Sequence, residues 1–387
     1  MENIRLGIVG VGGMGLNHAQ TVHSGQVPGL VLAAVCDLDA GRLTKAKQMG
    51  GEGVRAFDSA GALFAAKCVD AVLIATPHYF HPPLAIEALK QGLHVLIEKP
   101  AGVYTRQVRE MNEVAAKSGR VFGIMYNQRT KPVHQRLRQL IQSGELGTLR
   151  RATWTITDWF RPQSYYDSGS WRATWAGEGG GVLINQCPHN IDLWQWFFGM
   201  PQRVRGFCGF GRMHDIEVED DVAAIFEYGD GMNGTFITST GMSPGSNRLE
   251  INCDRGKVVM ENNKLTFYRT VMTIPEFNRT FKGGFGDPEH WVCDIPVPAP
   301  SPEHLWILKN WAQAIQDGRA LLAPGAEGIA CVELINAMLM STWTDGWVNL
   351  PVDEQRYFEL LEERCKTSRY HGTQGRSGSV MDVTGTF

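Results

Sequence analysis

The opening segment IRLGIVGVGGMG leaves few folds open to this chain. An apolar run leads into Gly10, Gly12 and Gly15, spaced as G-x-G-x-x-G, and a helix-like pattern follows. The glycines let backbone N–H groups approach an anion closely, and the N-terminus of the following helix adds partial positive charge. The next apolar run, VLAAVCD, ends on Asp37, 22 residues beyond Gly15. A carboxylate there accepts hydrogen bonds from the hydroxyls of an adenosine ribose. Gly10, Gly12, Gly13, Met14, Gly15 and Asp37 are therefore read as a dinucleotide site. The charge on Asp37 opposes a 2′-phosphate, so NAD is expected and NADP is less favoured. The competing role for Asp37 is to cap the helix that begins near Asp39.

Strand-like DAVLIATP and HVLIEKP alternate with helix-like stretches such as LAIEALKQG, the rhythm of a doubly wound parallel sheet. VFGIMYNQR reads as a further strand. Beyond about residue 150 the pattern changes to strands separated by turn signals such as GDGMNG and DRGK, which predicts a large, mainly antiparallel sheet. The fold class is thus α/β: a Rossmann domain over residues 1–125, an α+β domain for substrate binding and oligomerisation over 126–365, and a Gly/Ser/Thr-rich tail over 366–387 that is mobile or forms an arm. A chain of 387 residues with 43% apolar and 20% charged content suits two such cores. A formal charge of -3 offers no field for nucleic acid. No apolar run reaches the roughly 18 residues of a membrane span, and MENIRLGIVGVGG lacks the features of a signal peptide, so the cytoplasm is expected. Eight cysteines are scattered without metal-ligand spacing, and no metal is expected.

Two further segments carry chemistry. EGGGVLINQCPHNIDLWQWFFG, residues 178–199, sets Asn185, His189 and Asp192 at intervals of four and three. On a helix these share one face, although Pro188 threatens to start the helix only there. TPHYFHPPLAIEALKQGLHVLIEKP, residues 76–100, ends in E-K-P after a strand. Together with GVGGMG, these segments resemble the Gfo/Idh/MocA family, named for glucose-fructose oxidoreductase, inositol dehydrogenase and a rhizopine-catabolism protein. The resemblance covers nearly the whole chain. It implies a Rossmann domain followed by an open α/β domain, and oxidation or reduction of a sugar or polyol hydroxyl or ketone with NAD(P).

The resemblance also assigns residues. Lys99 matches the family's active-site lysine and His189 its catalytic histidine. Asn185 stands where many members have an aspartate, and Asp192 matches the acidic residue three places after the histidine. Thr76, Pro77 and His81 lie on the loop along the nicotinamide ribose and pyrophosphate. Glu98 and Asn127 match cofactor-contacting positions, and Trp171 and Arg172 match a pair that reaches the cofactor from the second domain. The substrate is expected to meet Lys99, Tyr165, Asn185, His189 and Asp192.

Hydride transfer from an alcohol requires the hydroxyl proton to leave as the C–H bond breaks, so a base and a nearby cation are needed. His189 suits the acid/base role and Lys99 the cation, with the reverse assignment open. An amide at 185 can orient a hydroxyl but cannot take its proton. Tyr165, Tyr166 and Trp159 suit either stacking on a pyranose or ordinary packing, whereas WQWFF reads as core. The leading reading is an NAD-dependent sugar or polyol dehydrogenase. The alternatives are a redox-neutral NAD-dependent glycosidase and a non-catalytic NAD-binding sensor. The predicted sheet face suggests a homodimer or homotetramer.

Overall fold

The computed structural model describes residues 3–299 and 303–370. The chain begins β1 (Ile4–Val9), α1 (Gly13–His23), β2 (Leu30–Cys36), α2 (Ala40–Gly50), β3 (Arg55–Phe57) and α3 (Ala60–Ala65). It continues β4 (Ala71–Ile74), α4 (His81–Lys90), β5 (His94–Ile97), α5 (Thr105–Ser118) and β6 (Phe122–Ile124). These six strands lie parallel in the order β3-β2-β1-β4-β5-β6. Short apolar strands such as AVLI of β4 are buried throughout because helices cover both sheet faces. The order reverses between β1 and β4, which opens a crevice at the C-terminal strand ends. Gly10, Thr76, Lys99 and Asn127 all follow strands on that side. The expected strand VFGIMYNQR is cut short: only Phe122–Ile124 pairs, and the chain then winds into a 3-10 turn at Asn127–Thr130.

The second unit contains α6 (Pro132–Gln142), β7 (Leu149–Ile156), α7 (Gln163–Asp167), α8 (Pro188–Phe198), β8 (Arg203–Phe210), β9 (Glu219–Glu227) and β10 (Asn233–Ser239). Next come β11 (Asn247–Cys253), β12 (Gly256–Glu261), β13 (Lys264–Thr270), α9 (Ile274–Thr280) and β14 (His290–Ile295). The last elements are α10 (Glu303–Asp317), α11 (Gly328–Trp343), β15 (Val348–Asn349) and α12 (Glu354–Lys366). Nine strands form one sheet, ordered β14-β13-β12-β11-β7-β10-β9-β8-β15, in which β7 and β10 are parallel and the other pairs antiparallel.

One face of this sheet is covered. Trp194 of α8 lies edge-on to Phe226 and Phe236, at 4.9 and 5.9 Å between ring centroids, so WQWFF serves the core. On the other face Phe207, Ala223, Ile237 and Thr155 stand in register across β8, β9, β10 and β7, with Phe207 52% exposed.

The late helices join the two units. Trp311 of α10 packs beside Gly123 of β6, and the Ile124 N–H donates to the Ala323 carbonyl at 3.1 Å. Asn336 of α11 accepts from the Thr105 N–H at 3.1 Å and donates to the Val103 carbonyl at 2.9 Å. Part of the expected tail is docked: Ser368 donates to Glu217 at 2.5 Å and Arg369 pairs with Asp215 at 2.7 Å. Residues 371–387 lie outside the described residues. Among the described residues no helix is long and apolar enough to cross a membrane.

Arg129, fully buried, ties the turn after β6 to α8 and to the segment before α11. Its Nε and Nη2 donate to the two oxygens of Asp192 on α8, at 2.8 and 2.6 Å. Its Nη1 donates to Glu327 at 2.5 Å and to the Leu322 carbonyl at 3.0 Å, both just before α11. Removing the guanidinium leaves the buried Asp192 carboxylate with only the Gln195 amide as partner, so Arg129→Met should cost ~3 to 5 kcal/mol in denaturant unfolding. Arg129→Met with Asp192→Leu should cost less than the single change. A single-variant cost under ~1 kcal/mol would show that the pair is not structural.

Candidate active site

The glycine turn has the shape its spacing predicts. Gly10 has φ +87°, and a Cβ on Gly15 would sit 1.8 Å from the Gly10 carbonyl oxygen, so a side chain at Gly15 would force α1 away from β1. A Cβ on Gly12 would instead meet only the tip of Arg42, at 3.9 Å. Open space therefore lies before the first turn of α1, where Gly13 and Met14 are partly exposed and no side chain caps the helix. That geometry fits a pyrophosphate.

Asp37 lies beside this cradle. Its Oδ2 accepts from the Val11 N–H at 2.8 Å and its Oδ1 from the Asp39 N–H at 2.9 Å. A carboxylate has lone pairs to spare for two ribose hydroxyls after those bonds. The helix-capping role falls to Asp39, which accepts from the Arg42 N–H at 2.9 Å.

Across the crevice, the loop after β4 meets the second unit. His78 stands edge-on to Trp171, 5.9 Å between centroids, with its Nδ1 3.2 Å from the Glu178 carbonyl. Tyr79 donates to the Trp175 carbonyl at 2.7 Å. Lys99, following β5, donates from Nζ to the main-chain carbonyl of Asn185 at 2.7 Å. Burial lowers the Lys99 pKa, and the charges of Glu98 and Glu178 oppose that shift.

The segment around His189 is shaped by close approach. A Cβ on Gly181 would lie 2.0 Å from the Glu219 carbonyl oxygen, and the Gly181 and Leu183 N–H groups donate to the Glu219 carboxylate at 2.8 and 3.1 Å. Only after this turn does α8 begin, at Pro188. Asn185 is therefore not on the helix, and the expected common helical face of Asn185, His189 and Asp192 does not exist. Proline suits the first helical position because its missing N–H has no partner to lose there.

His189, in the first turn of α8, is 3% exposed, and neither ring nitrogen has a protein partner. Burial, followed by the positive charge of Lys99, holds its pKa well below the ordinary histidine value. The same surroundings favour the neutral form of the imidazole. Thr76 Oγ1 and Asn127 Oδ1, following β4 and β6, are also buried without a partner. Such atoms at the ends of parallel strands fit a polar ligand lying across the crevice.

Three expected contact residues are engaged elsewhere. Arg129 donates to both oxygens of Asp192, and the Gln195 amide donates to one of them at 3.0 Å. His81 has one ring nitrogen 2.7 Å from the Pro100 carbonyl and the other 2.6 Å from the Thr76 carbonyl, so it braces the loop. Glu98 faces His18 of α1 at 2.7 Å and accepts from the Lys99 N–H at 3.1 Å. Burial pushes the Glu98 carboxyl up, but the His18 hydrogen bond and nearby positive charges bring it to about 2. Asn127 also donates from its amide to Glu303 at 2.8 Å. Pro77 precedes the short 3-10 turn His78–Phe80.

Tyr165 is a hub. Its hydroxyl oxygen accepts from Arg172 at 2.9 Å and from Asn185 and Gln186 at 3.2 Å each. Arg172 lies over the rings of both Tyr165 and Trp171, 4.7 Å from each centroid. Tyr166 is hydrogen-bonded to Thr240 and Trp159 to Asn190, so both serve packing. Glu178 was not singled out from the sequence, yet it receives the Asn185 side-chain amide. Its only sequence signal is a carboxylate directly before three glycines.

Residues 4–126 match the oxidoreductase family with an NAD-binding Rossmann fold, and residues 134–259 match the GFO/IDH/MocA C-terminal domain. The rhizopine catabolism protein MocA of Rhizobium meliloti is 34% identical over 200 residues, which cover 51% of this chain and 58% of that protein. Inositol 2-dehydrogenase of Rubrobacter xylanophilus is 33% identical over 197 residues, covering 51% of this chain and 52% of that protein. The chain thus spans little more than half the length of these curated relatives. A solved WlbA dehydrogenase from Chromobacterium violaceum, in complex with NADH and UDP-GlcNAcA, superposes with a TM-score of 0.78 at 26% identity, over 91% of this chain and 97% of that one. The two family matches fall one on each unit, on either side of the crevice that holds Lys99 and His189, and the chain belongs to the Gfo/Idh/MocA oxidoreductase family.

Proposed function

We propose that this protein is an NAD-dependent oxidoreductase that moves a hydride between the nicotinamide and a hydroxyl-bearing or keto carbon of a sugar, sugar derivative or polyol. The observation that carries this reading is the His189 imidazole: buried, held neutral and without a partner on either ring nitrogen. A polar ring left unsatisfied costs stability, and an incoming hydroxyl removes that cost. The kinship with inositol 2-dehydrogenase supports a cyclic polyol or sugar as substrate.

When bound, NAD supplies the hydride acceptor. The glycine turn and the first turn of α1 would hold its pyrophosphate, Asp37 its adenosine ribose, and Thr76 and Asn127 would contact it further along the crevice. Trp171 and Arg172 close over the crevice from the second unit. The Lys99 ammonium polarises the substrate oxygen, and His189 takes the hydroxyl proton as the hydride leaves the carbon. Tyr165 and Asn185 orient neighbouring hydroxyls. Asp192 acts at one remove, fixing the pitch of α8 through Arg129.

The open sheet face supports self-association into a homodimer or homotetramer, since the neighbouring apolar residues Phe207, Ala223 and Ile225 are all exposed on it. Eight unpaired cysteines suit a reducing, cytoplasmic location.

A panel of free polyols and sugars, beginning with myo-inositol, should reveal one that reduces NAD at 340 nm, one NADH per product. Lys99→Met and His189→Ala should each lower kcat by ~10²-fold or more while NAD affinity changes little. Normal turnover by either variant removes that residue's role. Sustained cleavage of aryl glycosides without net NADH would overturn the dehydrogenase reading in favour of a glycosidase.

NADP should bind at least ~10-fold more weakly than NAD, the scale of one charge-assisted hydrogen bond, and Asp37→Ser should narrow the gap. Equal affinity of the unmodified protein for both contradicts the role of Asp37.

The charges facing His189 come from Lys99, His304, Lys131 and His134. Removing the Lys99 cation should move the His189 titration, followed by NMR of its ring protons, to higher pH. An unmoved midpoint in Lys99→Met would separate the two groups.

For assembly, Ile225→Glu on the open face should shift sedimentation of a dimer or tetramer toward monomer. A monomeric unmodified protein refutes the assembly reading.

A further inference from the structure

We propose that Glu178 is a positioning residue of the active site: its carboxylate fixes the Asn185 segment that receives Lys99 and balances the charge of the Lys99 ammonium. This rests on the functional reading above only in taking Lys99 as the cation. The geometry is independent of any substrate.

Glu178 is 2% exposed, yet both its oxygens are engaged by groups that form the crevice wall. Oε1 accepts the Asn185 side-chain amide, and Arg172 stands 4.0 Å from that same oxygen. Oε2 accepts the Ala173 N–H at 2.6 Å. Asn185 and Arg172 also meet on the Tyr165 hydroxyl, so Glu178, Asn185, Tyr165 and Arg172 close a ring of hydrogen bonds and charges. Asn185 is pinned by its side chain on one side and presents its main-chain carbonyl to Lys99 on the other.

A second feature points the same way. Ala173 has φ +52°, in the left-handed region that a residue with a Cβ avoids. Such a conformation persists only where the surroundings hold it, and here the Glu178 carboxylate captures the Ala173 N–H. That capture sets Trp171 and Arg172 toward the crevice. One buried carboxylate thereby organises both the Trp171–Arg172 turn and the Lys99 acceptor.

The charges and donors around Glu178 oppose the rise that burial imposes on its pKa. Lys99 is faced by two carboxylates, Glu98 from its own domain and Glu178 from the other, and by the cations Arg172 and Arg161. His78, His81, His189 and His304 also feel its charge, and burial lowers the pKa of each of them. Burial also raises the Glu178 pKa, while Arg172, the Ala173 N–H, Asn185 and Lys99 favour its ionised form. Asn185 itself contributes no charge, so Glu178 is the negative group on the second-unit side of Lys99.

The test separates charge from shape. Glu178→Gln keeps an oxygen for the Ala173 N–H, and the Asn185 amide can flip to meet the new NH₂ group, so packing survives while the charge is lost. The readout is competitive acylation of the ligand-free full-length protein by acetic anhydride across pH, with the Lys99 peptide quantified by mass spectrometry against the other lysines. The pH midpoint for Lys99 should fall by ~0.5 to 1 unit in Glu178→Gln. The double variant Glu178→Gln with Asn185→Asp returns a carboxylate to the contact between positions 178 and 185 and should restore the midpoint. With a substrate in hand, kcat should follow the same order. An unchanged midpoint in Glu178→Gln, or a lowered midpoint that Asn185→Asp does not restore, overturns the proposal. Because the labelling uses neither cofactor nor substrate, it stands even if the proposed oxidoreductase activity fails.

Discussion

The buried Arg129 guanidinium is the interaction on which the rest of the site depends. It leaves the 3-10 turn after β6, grips Asp192 on α8 with two parallel hydrogen bonds, and reaches Glu327 and the Leu322 carbonyl ahead of α11. Bidentate geometry fixes direction as well as distance, which a point charge on lysine does not. His189 lies three residues before Asp192 on the same helix. The imidazole is thus tied through one ion pair to the turn that follows β6. Trp196, with its ring centroid 5.5 Å from the guanidinium carbon, shields that pair from water.

Around this clamp the crevice concentrates groups that are costly to bury. His189 has no partner, Lys99 is held by a single carbonyl, and the Thr76 and Asn127 oxygens are unsatisfied. Stability is supplied elsewhere, by the six parallel strands and by the Trp194, Phe226 and Phe236 cluster under the large sheet. Catalytic groups whose environments push their ionisation apart belong on such rigid supports. Here burial keeps His189 neutral while Glu98 and Glu178 work against the loss of charge on Lys99. Burial thus works against charge on both groups, and only Lys99 has carboxylates that oppose it.

Much of this was legible in the sequence because it is local. The glycine spacing of GVGGMG and the carboxylate at the end of the second strand are properties of contiguous residues, and backbone sterics enforce them. Lys99 is legible for the same reason, as the residue at the end of an apolar strand. What failed were inferences across turns. Asn185 and His189 look like helical neighbours in the sequence, but the Gly181 approach to Glu219 and the proline at 188 start the helix later. Asp192 and His81 have the right residue types for a site, yet their polar atoms meet partners fixed by tertiary packing. Glu178 and Arg129 carry no motif and are revealed by their contacts. The short strand β3 and the exposed edge strand β14 lack the alternation that marks a half-buried strand.

The central claim is that this crevice holds a reacting carbon beside the nicotinamide, with His189 and Lys99 managing the proton and the charge. Isotope transfer tests it most directly. A perdeuterated polyol that reduces NAD is incubated with the protein, and the mass of the reduced nicotinamide is read. The account predicts one deuterium on each reduced nicotinamide, transferred directly from the oxidised carbon. Reduced cofactor carrying no deuterium, or product formed without reduced cofactor, would contradict it.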